Sequence, residues 1–239
     1  MPPSILQSDI RSNKIFEEML VVFDLDGTLL NTIADLAEAA NYALEKCGYP
    51  KHSPMAYPYY VGNGVRKLLE RVLPEDERTA ENVELMFTHF IEYYGKNLTR
   101  YTKPYPGITE LLKDLRDNDI KIAVASNKYQ AAVTELIEHF FPGLEWASIA
   151  GQREGVPVKP DPSIVFGILS ESPTPKAQVL YVGDSGVDMV TARRAGVTSV
   201  GVTWGFRGER ELRENFADHI VDSTDEILRL ALEMKNRQY

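Results

Sequence analysis

The stretch Val21-Val22-Phe23-Asp24-Leu25-Asp26-Gly27-Thr28-Leu29 decides how this chain is read. A hydrophobic strand runs straight into two acids spaced two apart, and a Gly-Thr turn follows. Residues two apart on a strand point to the same face, so Asp24 and Asp26 emerge together at its carboxyl end. Carboxylates that close repel and raise each other's pKa, a cost that a cation or a proton-transfer role relieves. Asp-Gly after a strand is also an ordinary turn signal, so the pair takes its meaning from the rest of the chain.

Working outward, the sequence beyond residue 105 alternates short apolar runs with amphipathic stretches, the pattern of βαβ units around a parallel sheet. Strands are expected at 20–25, 120–125, 147–150, 178–182, 197–202 and 219–221, with helices over 108–117, 129–140, 161–170 and 186–195. Pro106-Gly107 precedes the first of these helices and Gly196 follows the last, as start and stop signals should. Residues 33–103 read differently. Ile33, Leu36, Ala37, Ala40 and Leu44 repeat at helical spacing, as do Val65, Leu68, Leu69 and Val72, and a third helical stretch spans about Glu81–Tyr94. No strand is evident there, and Lys103-Pro104-Tyr105-Pro106-Gly107 reads as a return linker. The expected fold is therefore α/β, a doubly wound, Rossmann-like parallel sheet (19–32 and 104–239) interrupted by an all-helical insertion (33–103). Residues 1–18 read as an extension, with a short helix around Ile10–Glu18.

The bulk properties narrow the function. With 239 residues, 44% hydrophobic and 26% charged, the chain is long enough for one large domain carrying an insertion. A net charge of −9 argues against nucleic acid or an anionic membrane as a general partner. No apolar run approaches the roughly 18 residues a membrane span needs. A lone cysteine, Cys47, permits no internal disulfide, which suits a cytoplasmic protein; in its helical stretch beside Gly48 it reads as packing. Nothing separates a monomer from a homodimer.

Three further clusters fall at the carboxyl ends of expected strands, where open α/β sheets place their sites. Val124-Ala125-Ser126-Asn127-Lys128 offers a hydroxyl and an amide at a helix start, where backbone N–H groups assist anion binding. Val158-Lys159-Pro160-Asp161-Pro162 holds a lysine in extended backbone. Tyr181-Val182-Gly183-Asp184-Ser185-Gly186-Val187-Asp188 ends a buried strand in one acid and places a second a turn into the next helix. Hard oxygen ligands of this kind suit Mg²⁺ rather than zinc, and the lysine and hydroxyl suit a phosphoryl group. The four histidines are scattered and form no competing metal set.

At this point the chain resembles the haloacid dehalogenase-like hydrolase superfamily, and its phosphatases in particular. Asp24-Leu25-Asp26-Gly27-Thr28-Leu29 is similar to that family's first motif, Ser126 to its second, Lys159 to its third and Gly183-Asp184-Ser185-Gly186-Val187-Asp188 to its fourth. The resemblance implies that Asp24 is a nucleophile forming an aspartyl-phosphate and Asp26 a general acid and base. It implies Mg²⁺ held by Asp24, the backbone carbonyl of Asp26 and Asp184, with Asp188 in support. Ser126 and Lys159 would hold the phosphoryl oxygens, with Thr28 and Asn127 beside them.

The helical insertion is similar to the small cap of one subgroup, and Val61-Gly62-Asn63-Gly64-Val65-Arg66-Lys67-Leu68-Leu69 resembles a cap segment of phosphoglycolate phosphatases. The resemblance makes Gly62 and Gly64 a loop that approaches substrate closely and Arg66 a partner for a substrate carboxylate. Cap movement would hinge near Leu30–Ile33 and Arg100–Pro104. Phosphoglycolate is the first candidate substrate; pyrophosphate, nucleoside monophosphates and sugar phosphates remain alternatives. Asn31 departs from the acid usual at its position. A phosphomutase of the subgroup carries a cap histidine that positions 33–46 lack, and a phospho-acceptor module needs neither Asp26 nor a cap.

Overall fold

Strand β1 (Met19–Phe23) is fully buried along its length, because layers of helices cover both faces of its sheet. Met19, Val21 and Phe23 enter one hydrophobic cluster, while Leu20 and Val22 enter a second with Val165, Ile168 and Ala192. Two-sided burial explains why the sequence here is continuously apolar rather than alternating. Each such side chain stabilises the fold by about 1.5–3 kcal/mol relative to exposure.

The computed structural model describes residues 18–237; the helix expected around Ile10–Glu18 therefore lies, apart from Glu18, outside the described residues. After β1 come β2 (Leu30–Asn31), α1 (Ile33–Lys46), α2 (Val65–Val72), α3 (Ala80–Asn97) and β3 (Lys103–Pro104). The chain continues through α4 (Ile108–Asp117), β4 (Ile120–Tyr129), α5 (Gln130–Phe140), β5 (Ser148–Gln152) and α6 (Ser163–Glu171). It ends with β6 (Val179–Gly183), α7 (Gly186–Ala195), β7 (Thr198–Val202), α8 (Glu209–Glu214), β8 (His219–Val221) and α9 (Thr224–Asn236).

The main sheet has the order β5-β4-β1-β6-β7-β8 and is parallel throughout. Counted by its own six strands, that order is 3-2-1-4-5-6, the doubly wound topology. Its winding reverses between β1 and β6, and ligands bind in the crevice beyond the strand ends at such a reversal. Asp24 begins there, its N–H donating to Val182 O at 2.9 Å.

The six expected strands are present, and so are the four expected helices, as α4 to α7. β4 runs on to Tyr129 because it pairs again with β5, Tyr129 opposite Gln152, after a register shift. Two features depart from expectation. Leu30–Asn31 and Lys103–Pro104 form a two-residue antiparallel ribbon, so the return linker is itself a strand too short to show periodicity. Helices α8 and α9 were not foreseen; α8 is six residues long and highly charged, with Leu212 its buried anchor.

The segment between β2 and β3 is helical, as its spacing predicts. Leu36, Ala37, Ala40 and Leu44 of α1 pack with Leu68, Leu69 and Val72 of α2 and with Met86, Phe90 and Tyr94 of α3. Its two ends are stapled by Asp35. This buried carboxylate, in the first turn of α1, accepts from Tyr101 N at 3.0 Å, Thr102 N at 2.8 Å and Thr102 Oγ1 at 2.7 Å. Asn31 is exposed and accepts only a long bond from Ile33 N, 3.4 Å.

Candidate active site

The carboxyl ends of β1, β4 and β6 bring the separated motifs into one cavity of about 60 Å³, room for a few water-sized groups. Asp24, Asp26, Ser126, Asn127, Lys159 and Asp184 line it from the sheet side. Gly62, Gly64, Leu36, Val65, Leu68, Phe90 and Tyr94 close it from the helical segment. Polar chemistry thus sits at the floor and apolar surface at the roof.

Local backbone makes the floor. Gly27 adopts φ +89, and a Cβ there would lie 2.4 Å from Asp184 Oδ2, so only glycine lets the β1 turn pass beneath that acid. Asp184 is pinned from the other side by Phe206 N–H at 2.6 Å, and a Cβ on Gly205 would overlap its side chain. On α7, Ser185 and Asp188 form a capping box: Asp188 Oδ2 accepts from Ser185 N at 3.2 Å and Ser185 Oγ at 2.5 Å. The other oxygen of Asp188 accepts from Lys159 Nζ at 2.7 Å, and the same ammonium lies 2.9 Å from Asp24 Oδ1. Asp188 therefore caps a helix and positions the lysine at once.

Charge is the conspicuous property of this floor. Asp24, Asp26, Asp184 and Asp188 face two ammonium groups, Lys128 and Lys159, leaving two negative charges uncompensated. Burial, opposed by Lys159 and reinforced by Asp188, pushes the Asp24 carboxyl up to about 7. Burial, then Asp188 and Asp24, raises Asp184 well above the usual carboxylate range. For Lys159 burial opposes the charge, yet Asp188 and Asp24 hold it firmly protonated. Oxygens of Asp24, Asp184 and Asp188 lie within 4.8 Å of one another. That is close to the span of a Mg²⁺ shell, whose opposed oxygens, with bonds of about 2.1 Å, stand ~4.2 Å apart. A hard divalent cation fits this donor set in both charge and size.

Asp26 is held differently. Its carboxylate takes both of its oxygens to Lys128 Nζ, at 2.9 and 3.0 Å, and accepts from Thr32 Oγ1 at 2.7 Å. It stands outside the carboxylate cluster of Asp24, Asp184 and Asp188, so any metal contact from this residue falls to its backbone.

Several expected site residues sit elsewhere or act otherwise. Arg66 is not in the cavity: its guanidinium is committed to Glu84, with Nε at 2.5 Å and Nη2 at 3.0 Å, and stacks 4.0 Å from the Phe87 ring centroid. Both partners are on α3, so the helix face that carries Arg66 turns along the helical segment rather than into the crevice. Thr28 is buried beneath the site and does not line it; its carbonyl accepts from Trp204 Nε1 at 3.1 Å. Asn127 lines the cavity, but its amide is spent on scaffold bonds. It donates to Lys159 O at 3.0 Å and Gly62 O at 3.2 Å, and accepts from Lys159 N at 2.8 Å. Gly64 (φ +83) approaches the carbonyl of Asn127 closely enough that a Cβ would sit 3.4 Å from it. The glycines thus seat the 61–64 loop on the sheet side.

Two lining cations escaped sequence reasoning, Lys128 and Arg207. Lys128 had a signal, since it stands two residues beyond Ser126 and so shares its face on β4. Arg207 had none, because it follows the strand β7 in a loop whose path depends on the Phe206–Asp184 bond.

The assembled geometry has counterparts among known proteins. A family model described as haloacid dehalogenase-like hydrolase matches residues 21–202. A phosphoglycolate phosphatase of Neisseria meningitidis serogroup A is 34% identical over 224 residues, 91% of this chain and 95% of its own length. One from Haemophilus influenzae is 30% identical over 215 residues, 87% of this chain and 96% of its own. A solved structure from Lactobacillus delbrueckii subsp. bulgaricus, described as a candidate phosphoglycolate phosphatase, superposes with a TM-score of 0.83 at 30% identity, covering 90% of this chain and 98% of that one.

Proposed function

Because the chain belongs to the haloacid dehalogenase-like hydrolases, we propose that this phosphatase is Mg²⁺-dependent and cleaves a small acidic phosphate monoester, phosphoglycolate first, through an aspartyl-phosphate on Asp24. The observation that carries the reading is the position of Asp24, buried at the winding reversal, 2.9 Å from Lys159 Nζ and two residues before a second acid.

A carboxylate attacks a phosphate dianion only when nearby cations offset the repulsion. Lys159 does this beside Asp24, and Ser126 at the end of β4 offers its hydroxyl to the phosphoryl oxygens. Asp24 Oδ forms a bond to phosphorus as the ester P–O bond breaks, and Asp26 gives the leaving alkoxide its proton. Asp26 then takes a proton from water, whose oxygen attacks phosphorus and frees Asp24, releasing inorganic phosphate. Lys128 and Thr32 hold the Asp26 carboxyl group in place for both proton transfers. When bound by Asp24, the Asp26 carbonyl and Asp184, with Asp188 in support, Mg²⁺ would neutralise the excess negative charge and polarise the phosphoryl group. The apolar roof of Leu36, Val65, Leu68 and Phe90 keeps bulk water from the reacting centre.

The test is phosphate release, with and without Mg²⁺, from phosphoglycolate, pyrophosphate, nucleoside monophosphates and sugar phosphates. Mg²⁺-dependent release, fastest from phosphoglycolate and abolished by Asp24→Asn, is the expected result. Near-normal turnover by Asp24→Asn would overturn the mechanism, and equal slow release from every compound would overturn the substrate assignment.

A further inference from the structure

The cations that line the cavity are unequally matched. Lys159 is paired with Asp24 and Asp188, and Lys128 with Asp26. Arg207, by contrast, has no carboxylate within hydrogen-bonding distance among the described residues. Its side chain is only 17% exposed. Its Nη2 donates to Val61 O at 3.0 Å, while the nearest acid, Glu211, keeps 3.8 Å from Nε and accepts Gly186 N–H with its other oxygen. Nor is Arg207 alone: Arg71 Nη1 reaches the same carbonyl oxygen at 3.4 Å, so two guanidiniums converge on the 61–64 loop. Glu211 at 3.8 Å is thus a loose ion partner that makes no hydrogen bond to Arg207, and an anion supplied from outside would complete the pairing of guanidiniums brought this close together.

The position of Arg207 says which anion. Phe206, its neighbour, is hydrogen-bonded to Asp184 at the phosphoryl end, so the guanidinium stands one residue away from that end, below Gly62. Among the described residues, the one Gly62 neighbour a Cβ would meet within 4 Å is Arg207 Nη2, at 3.8 Å, so a larger side chain there would crowd the guanidinium. The cavity is narrow between the carboxylate floor and the apolar roof, which suits a short molecule. We infer that Arg207 is the specificity-determining residue that binds the carboxylate of a two- or three-carbon phosphate monoester, the role the sequence had suggested for Arg66. The inference rests on the phosphatase reading and narrows it to carboxylated esters. Bidentate geometry between a guanidinium and a carboxylate makes the pairing selective over a neutral hydroxyl.

The experiment compares wild type, Arg207→Gln, Arg207→Lys and Arg66→Ala on phosphoglycolate and on ethyl phosphate, which matches it in length but lacks the carboxylate. A charged hydrogen-bonding pair corresponds to roughly ten- to a hundredfold in kcat/KM. Arg207→Gln is expected to lose at least tenfold more on phosphoglycolate than on ethyl phosphate, Arg207→Lys to recover part of that difference, and Arg66→Ala to treat both esters alike. Equal losses on both esters in Arg207→Gln, or a selective loss in Arg66→Ala, would overturn it. Calorimetric titration of the same two esters into wild type and Arg207→Gln reads the pairing without turnover. If wild type hydrolyses neither ester, the phosphatase reading fails by itself. An Arg207-dependent preference for phosphoglycolate in binding would still support the inference, and equal affinities would refute it.

Discussion

The metal-free protein should lose stability as the pH rises through neutrality, and Mg²⁺ should restore it most where the loss is largest. Asp24 is 8% exposed, and its pKa rises from 3.8 to about 7 on folding, chiefly through burial. The unfolded chain therefore releases this proton at a lower pH than the folded one, so the folded state is penalised from about pH 4 upward, and the whole penalty is present above about pH 7. At about 1.36 kcal/mol for each tenfold change in proton affinity, the full penalty is roughly 4 kcal/mol. Of this, roughly 2 kcal/mol accrues between about pH 5.5 and about pH 8. For a chain of this size that is a Tm roughly 4–8 °C lower at the higher pH. Mg²⁺ at about a hundredfold over its Kd adds about 2.7 kcal/mol at pH 8, or roughly 5–10 °C. Near pH 5.5 the cation must first displace the Asp24 proton, which weakens binding by roughly thirtyfold and leaves about 1 kcal/mol. Scanning calorimetry of the chelator-treated protein at both pH values, with and without Mg²⁺, measures each quantity. Asp24→Asn removes this group's share: it should raise the metal-free Tm at pH 8, reduce its pH dependence, to which Asp184 also contributes, and shrink the Mg²⁺ response. An Mg²⁺ response equal at both pH values, or a lower metal-free Tm for Asp24→Asn at pH 8, would refute the reasoning.

Asp26→Asn should lower kcat on an alkyl phosphate by about 10²–10⁴-fold and on p-nitrophenyl phosphate by much less, because protonation matters most for a poor leaving group; equal losses in steady-state assays would remove Asp26 from the acid role. Asp35→Ala should cost about 2–4 kcal/mol in urea denaturation, since it strands the N–H and hydroxyl of buried Thr102; a cost below about 1 kcal/mol would mean that the staple between α1 and the return strand is not what holds the helical segment's ends.

Much of this architecture was legible because its signals are local. A strand covered on both faces must be apolar throughout, as 19–23 and 179–183 are, and the helices of the sheet domain carry their own punctuation, Gly107 before α4 and Gly196 after α7. The acids at the strand tips were legible for the same reason, since spacing along one strand fixes the face. What failed was orientation set by distant parts of the chain. Arg66 looks free in sequence, but its partners Glu84 and Phe87 lie 18 and 21 residues on, across a helix–helix contact. Lys128 reads as the end of a helix cap until β4 continues to Tyr129 and carries the ammonium to Asp26. Asp35 looks like an ordinary first-turn acid, and only the antiparallel return of residues 101–104 reveals what it binds.

Asp26 is where these long-range contacts meet. Thr32, at the entry to α1, donates to it directly. Lys128, its ion partner from β4, lies 5.0 Å from the ring centroid of Tyr94 on α3. Both ends of the helical segment thus bear on one carboxylate or on its counter-ion. A displacement of α1 or α3 relative to the sheet lengthens the Thr32 bond or uncovers Lys128, and either change leaves Asp26 more solvated and less oriented. The same displacement withdraws Leu36 and Phe90 from the roof and admits water. A wet cavity and a misaligned acid would therefore arise together. That coupling suits the proposed mechanism, in which an aspartyl-phosphate would meet one positioned water rather than many.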